Sequence, residues 1–364
     1  MTKSAQWISA AASFAAGQLD EAERLCREGL EVQPGHPMGF GLLAAIANVH
    51  QDFPRALYLA EQAIGAADGV ALFYVEKAAA LFALEQYAKA AAAARQAVDI
   101  DPEVPRGYFL LSHAKMPGES YRDIIRRFHA WLAPRSYVEI GVAQGKTLAL
   151  AQPPCVAVGI DPRPNLHSPL DTTTKIVSLE SDVYFAKRDL RTDLETDCVD
   201  LAFIDGLHEF RQVLRDFINV EHFAAKHTVV LVHDCIPLDA LTASPERRSK
   251  FWTGDAWKLI AALGKWRPDL DIQSVATPPS GLGVICRLDP DNRVLGEHYG
   301  AIVAEFLGLA PPLTPHDQHE QLSVVDNDWT KIAARVARGT GRKAPCDEKK
   351  VWSKIKSAIT GLAG

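Results

Sequence analysis

Two patterns follow one another along the chain, and together they predict an all-α repeat segment joined to a doubly wound α/β sheet. Three observations carry this reading. Alanine-rich sequence as far as residue 116 repeats with a period of 34 residues; short apolar runs alternate with helical patterns from residue 118 onward; and acidic residues gather where those runs end. A length of 364 residues with 48% hydrophobic and 23% charged content fits about two to three ordinary cores. The predicted division is 1–116, 117–290 and 291–364.

In the first segment Ala22, Ala56 and Ala90 share one column of the repeat, Gly29, Ala63 and Ala97 another, and Pro34 and Pro102 stand two periods apart. Small residues at such columns let antiparallel helices approach closely, and a proline just past a helix removes no helical hydrogen bond. Units are predicted at Lys3–Gly35, His36–Asp68 and Gly69–Pro102, with Val104–Lys115 as the capping helix such a stack needs. The middle unit has Asp68 where the others have proline. The pattern resembles the tetratricopeptide repeat family. That resemblance implies a concave surface for a peptide, a partner domain or a second copy of the chain; simple packing on the neighbouring domain is the alternative of equal weight.

Beyond Pro117-Gly118, an amphipathic stretch Tyr121–Leu132 leads into seven predicted strands: Tyr137–Ile140, Val156–Ile160, Lys175–Leu179, Val199–Ile204, Thr228–Val232, Ile272–Ala276 and Gly283–Arg287. Helices are predicted at Lys146–Ala151, Val183–Leu190, Glu209–Ala225 and Asp255–Trp266. The polar tail from Asp289 is read as partly helical, with Pro311–Asp328 as a loop.

An open parallel sheet binds its ligand at the carboxyl ends of its strands, and here Glu139, Asp161, Asp205 and the pair His233-Asp234 occupy four of the first five ends. One such acid alone is as well explained by helix capping; four together are not. Between the first two strands, Glu139–Thr147 forms a turn with Gly141 and Gly145, spaced unlike either G-x-G-x-x-G or G-x-x-x-x-G-K-[ST]. An acidic first position favours a cationic ligand over a pyrophosphate.

The turn Glu139–Thr147, the run Val158-Gly159-Ile160-Asp161 and the run Phe203-Ile204-Asp205-Gly206-Leu207-His208 resemble class I S-adenosylmethionine-dependent methyltransferases over roughly residues 120–290. With Asp216 and Val232-His233-Asp234, the likeness is to the small-molecule and sugar O-methyltransferase branch, and it implies a seven-stranded Rossmann-like sheet. It further implies that Glu139, Gly141 and Gly145 contact the methionine portion of the cofactor, that Asp161 accepts both ribose hydroxyls, that Ser181 and Asp182 lie near the adenine, and that Asp205 lines the same site. In related catechol-type enzymes acids after the fourth and fifth strands hold magnesium; Asp205 and Asp234 match those positions, but Cys235 stands where that branch has asparagine, so Mg²⁺ or another divalent ion is left open.

Methyl transfer to a hydroxyl also requires a base, and His208, three residues after Asp205, is the candidate; the competing reading is that it caps the following helix. His233 is read as support for the strand end. The segment Ile236–Trp252, with Arg247, Arg248 and Lys250 before Phe251-Trp252, reads either as a lid over a sugar-like acceptor or as solvated surface.

A net charge of -6 and a pI near 6.1 argue against a nucleic-acid or anionic-membrane partner. The N-terminus shows no secretory signal and no apolar run is long enough to span a bilayer, so a cytoplasmic protein is expected. Six scattered cysteines without a C-x-x-C pair argue against a disulfide framework or a structural zinc site. The reading is therefore an O-methyltransferase of a glycan or small molecule with a repeat module for protein interaction or self-association. A scaffold with an inactive methyltransferase-like domain is the alternative, and a nicotinamide oxidoreductase fits least.

Overall fold

The computed structural model describes residues 3–170 and 173–345, so Cys346 and the rest of the tail lie outside the described residues. The chain divides into two compact units, one running to Pro117 and including Ser249–Phe251, the other comprising the remainder.

The first unit is built of helix pairs: α1 (Lys3–Ala15) with α2 (Leu19–Val32), α3 (Pro37–Val49) with α4 (Phe53–Ala66), α5 (Ala71–Ala83) with α6 (Tyr87–Ile100), then α7 (Gly107–Lys115). The small-residue columns explain the pairing. Ala22, Ala56 and Ala90, and Ala63 and Ala97, are fully buried, and a Cβ on Gly29 would lie 2.5 Å from the Trp7 ring. These are stacked helical hairpins of the tetratricopeptide kind.

The second unit opens with α8 (Tyr121–Leu132), whose Ser120 and Asp123 form a capping box. The strands are β1 (Ser136–Ile140), β2 (Val156–Ile160), β3 (Thr173–Val177), β4 (Val199–Ile204), β5 (Ala224–His233), β6 (Asp271–Val275), β7 (Leu282–Cys286) and β8 (Val324–Val325). Their order is β3-β2-β1-β4-β5-β7-β6-β8, with β7 antiparallel to both neighbours. The helices are α9 (Ser181–Lys187), α10 (Leu190–Leu194), α11 (Phe210–His222), α12 (Lys258–Trp266), α13 (Val294–Glu297), α14 (Tyr299–Phe306), α15 (Pro315–Leu322) and α16 (Trp329–Thr340).

Period-two alternation along the strands builds two cores. Val138, Ile140, Ala202, Ile204, Val230 and Val232 face α9–α12 and α14, whereas Tyr137, Leu201, Phe203, Val229 and Leu231 face α8 and α16. This is the doubly wound, Rossmann-like sheet, with eight strands rather than seven among the described residues. The extra strand β8 pairs with β6 for two residues only, too few to leave an alternation in the sequence.

Other boundaries also differ from the sequence reading. Lys146–Ala151 contributes only a 3₁₀ turn, Leu148–Leu150, because Pro153-Pro154 follow at once and cannot extend a helix. Val183–Leu190 is split between α9 and α10, where the Asp189 carboxylate caps the second helix by accepting from the Arg191 amide at 2.9 Å. Pro311–Asp328 holds α15 and β8, the helix started by Thr314 at its cap and Pro315 in its first turn. Among the described residues no helix is long and apolar enough to cross a membrane.

Candidate active site

The strand order reverses between β1 and β4, which opens a crevice at their carboxyl ends. Gly141, with φ of +88°, turns there so tightly that a Cβ would lie 1.9 Å from the Asp205 carbonyl oxygen. Only glycine fits. Gly145, with φ of +75°, closes the same turn, its amide donating to the Val142 carbonyl at 2.8 Å. Asp161 holds the turn in place: Oδ2 accepts from the amides of Val142 and Ala143 at 2.9 and 2.8 Å, and Oδ1 from Arg163 at 2.7 Å. Three of the roughly four acceptor positions of a carboxylate are thereby used, leaving capacity for one ribose hydroxyl rather than the two implied by resemblance.

Glu139 lies within β1 and is fully buried, accepting from Tyr137 Oη at 2.6 Å and Thr147 Oγ1 at 2.7 Å. Burial pushes its carboxyl up to about 8 against the pull of those two hydroxyls. It is therefore a mostly neutral acid at pH 7, not the free carboxylate that the sequence implied. The folded state binds this proton between the ordinary value of 4.5 and about 8, so its contribution makes stability fall as pH rises through that window. Glu139→Gln is expected to match the parent's melting temperature near pH 4.5 and exceed it at pH 8. An equal difference at both pH values would mean that Glu139 is ionised in the fold.

Four titratable groups converge at the ends of β4 and β5. His208 Nε2 lies 3.5 Å from Asp205 Oδ1 and its Nδ1 lies 3.0 Å from Asp234 Oδ2, while His233 Nδ1 is 3.1 Å from Asp205 Oδ1. Asp234 takes a left-handed φ of +59° at the strand end, a conformation an aspartate tolerates. Its Oδ1 accepts from Ser280 Oγ, whereas Oδ2 is buried without a hydrogen bond despite its nearness to His208. Burial disfavours a charged His208, but Asp234 and then Asp205 outweigh it and push the imidazole up to about 9. The same burial works against Asp205, yet His233 and His208 hold its carboxyl well below the usual range. His208 thus keeps its proton at neutral pH.

The structure brings Asp205, His208 and Asp234 together, with ligand atoms all within 4.8 Å of one another. Cys235 does not join them: its thiol is buried and donates to the Val232 carbonyl at 3.2 Å. His208 does not cap α11 either, because the Phe210 amide donates to Asp255 Oδ1 at 2.7 Å. Ser181 and Asp182 begin α9, but both side chains are engaged, Ser181 Oγ with Asp216 Oδ1 at 2.6 Å and Asp182 with Arg215 at 3.0 Å. Burial lifts the Asp216 carboxyl to about 6, and its Oδ2 has no partner.

Residues 138–235 match the family model described as a methyltransferase domain, a span that runs from β1 through the glycine turn to Cys235. The chain carries a methyltransferase domain. No curated relative matches the sequence. Among solved structures, the first TPR of Spaghetti (RPAP3) bound to an HSP90 peptide is 19% identical over 31% of this chain and 89% of that one, with a TM-score of 0.29. The TPR2B domain of yeast Sti1 in complex with an Hsp70 peptide is 23% identical over 31% and 94%, with a TM-score of 0.28. A mutant Thermobaculum terrenum O-GlcNAc transferase is 14% identical over 56% and 46%, with a TM-score of 0.31.

Several residues of the methyltransferase domain crevice were not legible beforehand. Ser280 arrives from the β6–β7 connection, where its carbonyl also accepts from the Ile236 amide at 2.8 Å. Tyr121, at the start of α8, packs against His233 with ring centres 4.1 Å apart and the planes tilted by 33°. Trp252, read from sequence as part of a lid or surface loop, lies 5.3 Å from the His208 ring in a stacked arrangement, and the Arg247 guanidinium lies over the Trp252 ring, 6.0 Å from its centre. Trp257 is fully buried, and Phe251 and Lys250 belong to the first unit. Nothing in the spacing of Ser280 or Tyr121 marks them, since each reaches the site from a different layer.

Proposed function

We propose that the chain is an S-adenosylmethionine-dependent O-methyltransferase acting on a hydroxyl of a sugar, glycan or other small molecule. The observation that carries this is the convergence of Asp205, His208, His233 and Asp234 beside a turn that only glycine can make. When bound, the cofactor supplies a methyl group on a positively charged sulfur; acidic groups around it favour that charge. Asp161 would take one ribose hydroxyl, the tight turn through Gly141 and Gly145 would lie against the methionine portion, and Asp216 has an Oδ2 without a hydrogen bond 3.7 Å from where a Gly206 Cβ would stand.

His208 would accept the proton of the acceptor hydroxyl as oxygen attacks the methyl carbon and the carbon–sulfur bond breaks. Trp252 gives that acceptor an aromatic wall suited to a sugar ring. A divalent ion would find an acceptor in the buried Asp234 Oδ2, which has no hydrogen bond although His208 lies 3.0 Å away; Asp205 and Asp234 would hold it, and its chemistry there is to lower the hydroxyl's pKa. For the repeat unit, the exposed Val49, Leu72 and Phe109 on α3, α5 and α7 support a role in protein interaction or self-association. A cytoplasmic location is part of the same reading, on the scattered cysteines of the sequence.

The deciding experiment is calorimetric titration with S-adenosylmethionine, S-adenosylhomocysteine and NAD, each with and without magnesium. Binding of the first two but not NAD is expected. Binding of none would favour a scaffold role. Asp161→Ala is expected to weaken cofactor binding by about 1–3 kcal/mol, through lost charge-assisted hydrogen bonds and a loosened turn. An unchanged affinity would remove Asp161 from the site.

A further inference from the structure

At the opposite end of the sheet from the crevice, a second group of metal-binding side chains comes together. Cys198 immediately precedes β4 and Asp200 lies two residues on, so their side chains leave the chain on the same side. His227 comes from β5 through a register irregularity: Val199 pairs with Ala224, but Leu201 pairs with Val229, so β5 carries extra residues between them. Such bulges re-aim side chains. Thr228 pins this one, its hydroxyl accepting from the Ala225 amide at 2.7 Å and donating to the Val199 carbonyl. As a result His227 Nε2 stands 2.7 Å from Asp200 Oδ1, and the Cys198 thiol, this imidazole and this carboxylate offer ligand atoms within 4.8 Å of one another.

We propose that Cys198, Asp200 and His227 form a binding site for zinc or a similar borderline transition-metal ion, with water completing the coordination. One thiolate, one imidazole and one carboxylate are the donors such ions prefer, and they are a poor set for magnesium or calcium. Bonds of about 2.0–2.3 Å require neighbouring ligands about 3.3–3.6 Å apart, so the histidine and aspartate open slightly from 2.7 Å, and the cysteine already lies within 4.8 Å of both. All three side chains are partly exposed, which gives an ion access and leaves room for that adjustment. Asp200 Oδ2 accepts from the Arg135 amide at 2.7 Å, so the second carboxylate oxygen is already anchored while Oδ1 faces the cluster. The donors are spread over two strands, so no C-x-x-C spacing announces them.

The test is titration of the metal-free, full-length protein with Co²⁺, read by its near-ultraviolet thiolate-to-cobalt charge-transfer band, followed by competition with Zn²⁺. A band that zinc removes is expected. It should be lost in Cys198→Ser, weakened in His227→Gln, and retained in Cys155→Ser and in Asp234→Ala, whose crevice cluster contains no thiolate donor. Zinc should likewise raise the melting temperature of Asp234→Ala, in which the crevice cluster is broken, but not of the double variant Asp234→Ala, Cys198→Ser, the added change being near-isosteric at a partly exposed position. Absence of the band in the parent, or its survival in Cys198→Ser, would overturn the proposal and leave His227–Asp200 as a structural hydrogen bond.

Discussion

Replacing His208 with alanine is expected to lower methyl transfer by about 10²–10⁴-fold while leaving cofactor affinity nearly unchanged, the range in which a positioned proton acceptor contributes. The geometry gives the imidazole two carboxylate neighbours, at 3.5 and 3.0 Å, and these decide its pH behaviour. With its proton held until about pH 9, kcat/KM of the parent should rise with pH toward that value, because only neutral His208 can take the hydroxyl proton. The limb should vanish in His208→Ala. His208 would give up its proton at lower pH once Asp205 and Asp234 are shared with a cation, so added magnesium should move the limb downward if the crevice holds a metal.

Stability runs the other way. A histidine whose pKa is raised from 6.5 to about 9 stabilises the fold fully below 6.5, and the contribution is lost as pH rises through 9. The parent should therefore lose melting temperature across that interval faster than His208→Ala does. A parent rate that is independent of pH, or a rate unchanged in the variant, would take His208 out of the mechanism.

How much of this was legible beforehand follows from the range of each interaction. Strand alternation is local, so β1, β2 and β4 lie within a residue of where the apolar runs put them, and the strand ends lead directly to Asp205 and Asp234. Protonation states are not local. Glu139 occupies the position the turn pattern requires, but whether it is charged depends on Tyr137 and Thr147 closing over it, which needs the fold. Ser280 and Tyr121 reach His233 and Asp234 from a hairpin and from a helix more than 100 residues upstream, and only the sheet order unites them. The bulge in β5 was likewise hidden, because the apolar run Thr228–Val232 captures the strand's regular half and not the irregular start that turns His227 toward Asp200.

Removing Arg267 is expected to cost about 3–5 kcal/mol, the range for leaving a buried charge without its partner. This side chain, at the end of α12, is 1% exposed and donates through Nη1 to Glu221 Oε2 of α11 at 2.6 Å, and through Nε and Nη2 to Asp269 at 2.9 and 2.8 Å. Glu221 is buried too, and among the described residues it accepts, apart from Arg267, only from the Asp289 amide at 3.3 Å. In Arg267→Ala the Glu221 carboxyl, which burial already raises against the pull of the guanidinium, loses that pull and must take up a proton or remain an unpaired anion. The variant's deficit should therefore grow as pH rises from 5 to 8, since only ionised Glu221 is left stranded. Urea denaturation at the two pH values measures it. The double variant Arg267→Met, Glu221→Leu removes both charges together and should recover most of the loss, because a buried pair contributes little net stability once its desolvation is counted. A loss below about 1 kcal/mol at both pH values would mean that water reaches the pair and screens it as at a surface.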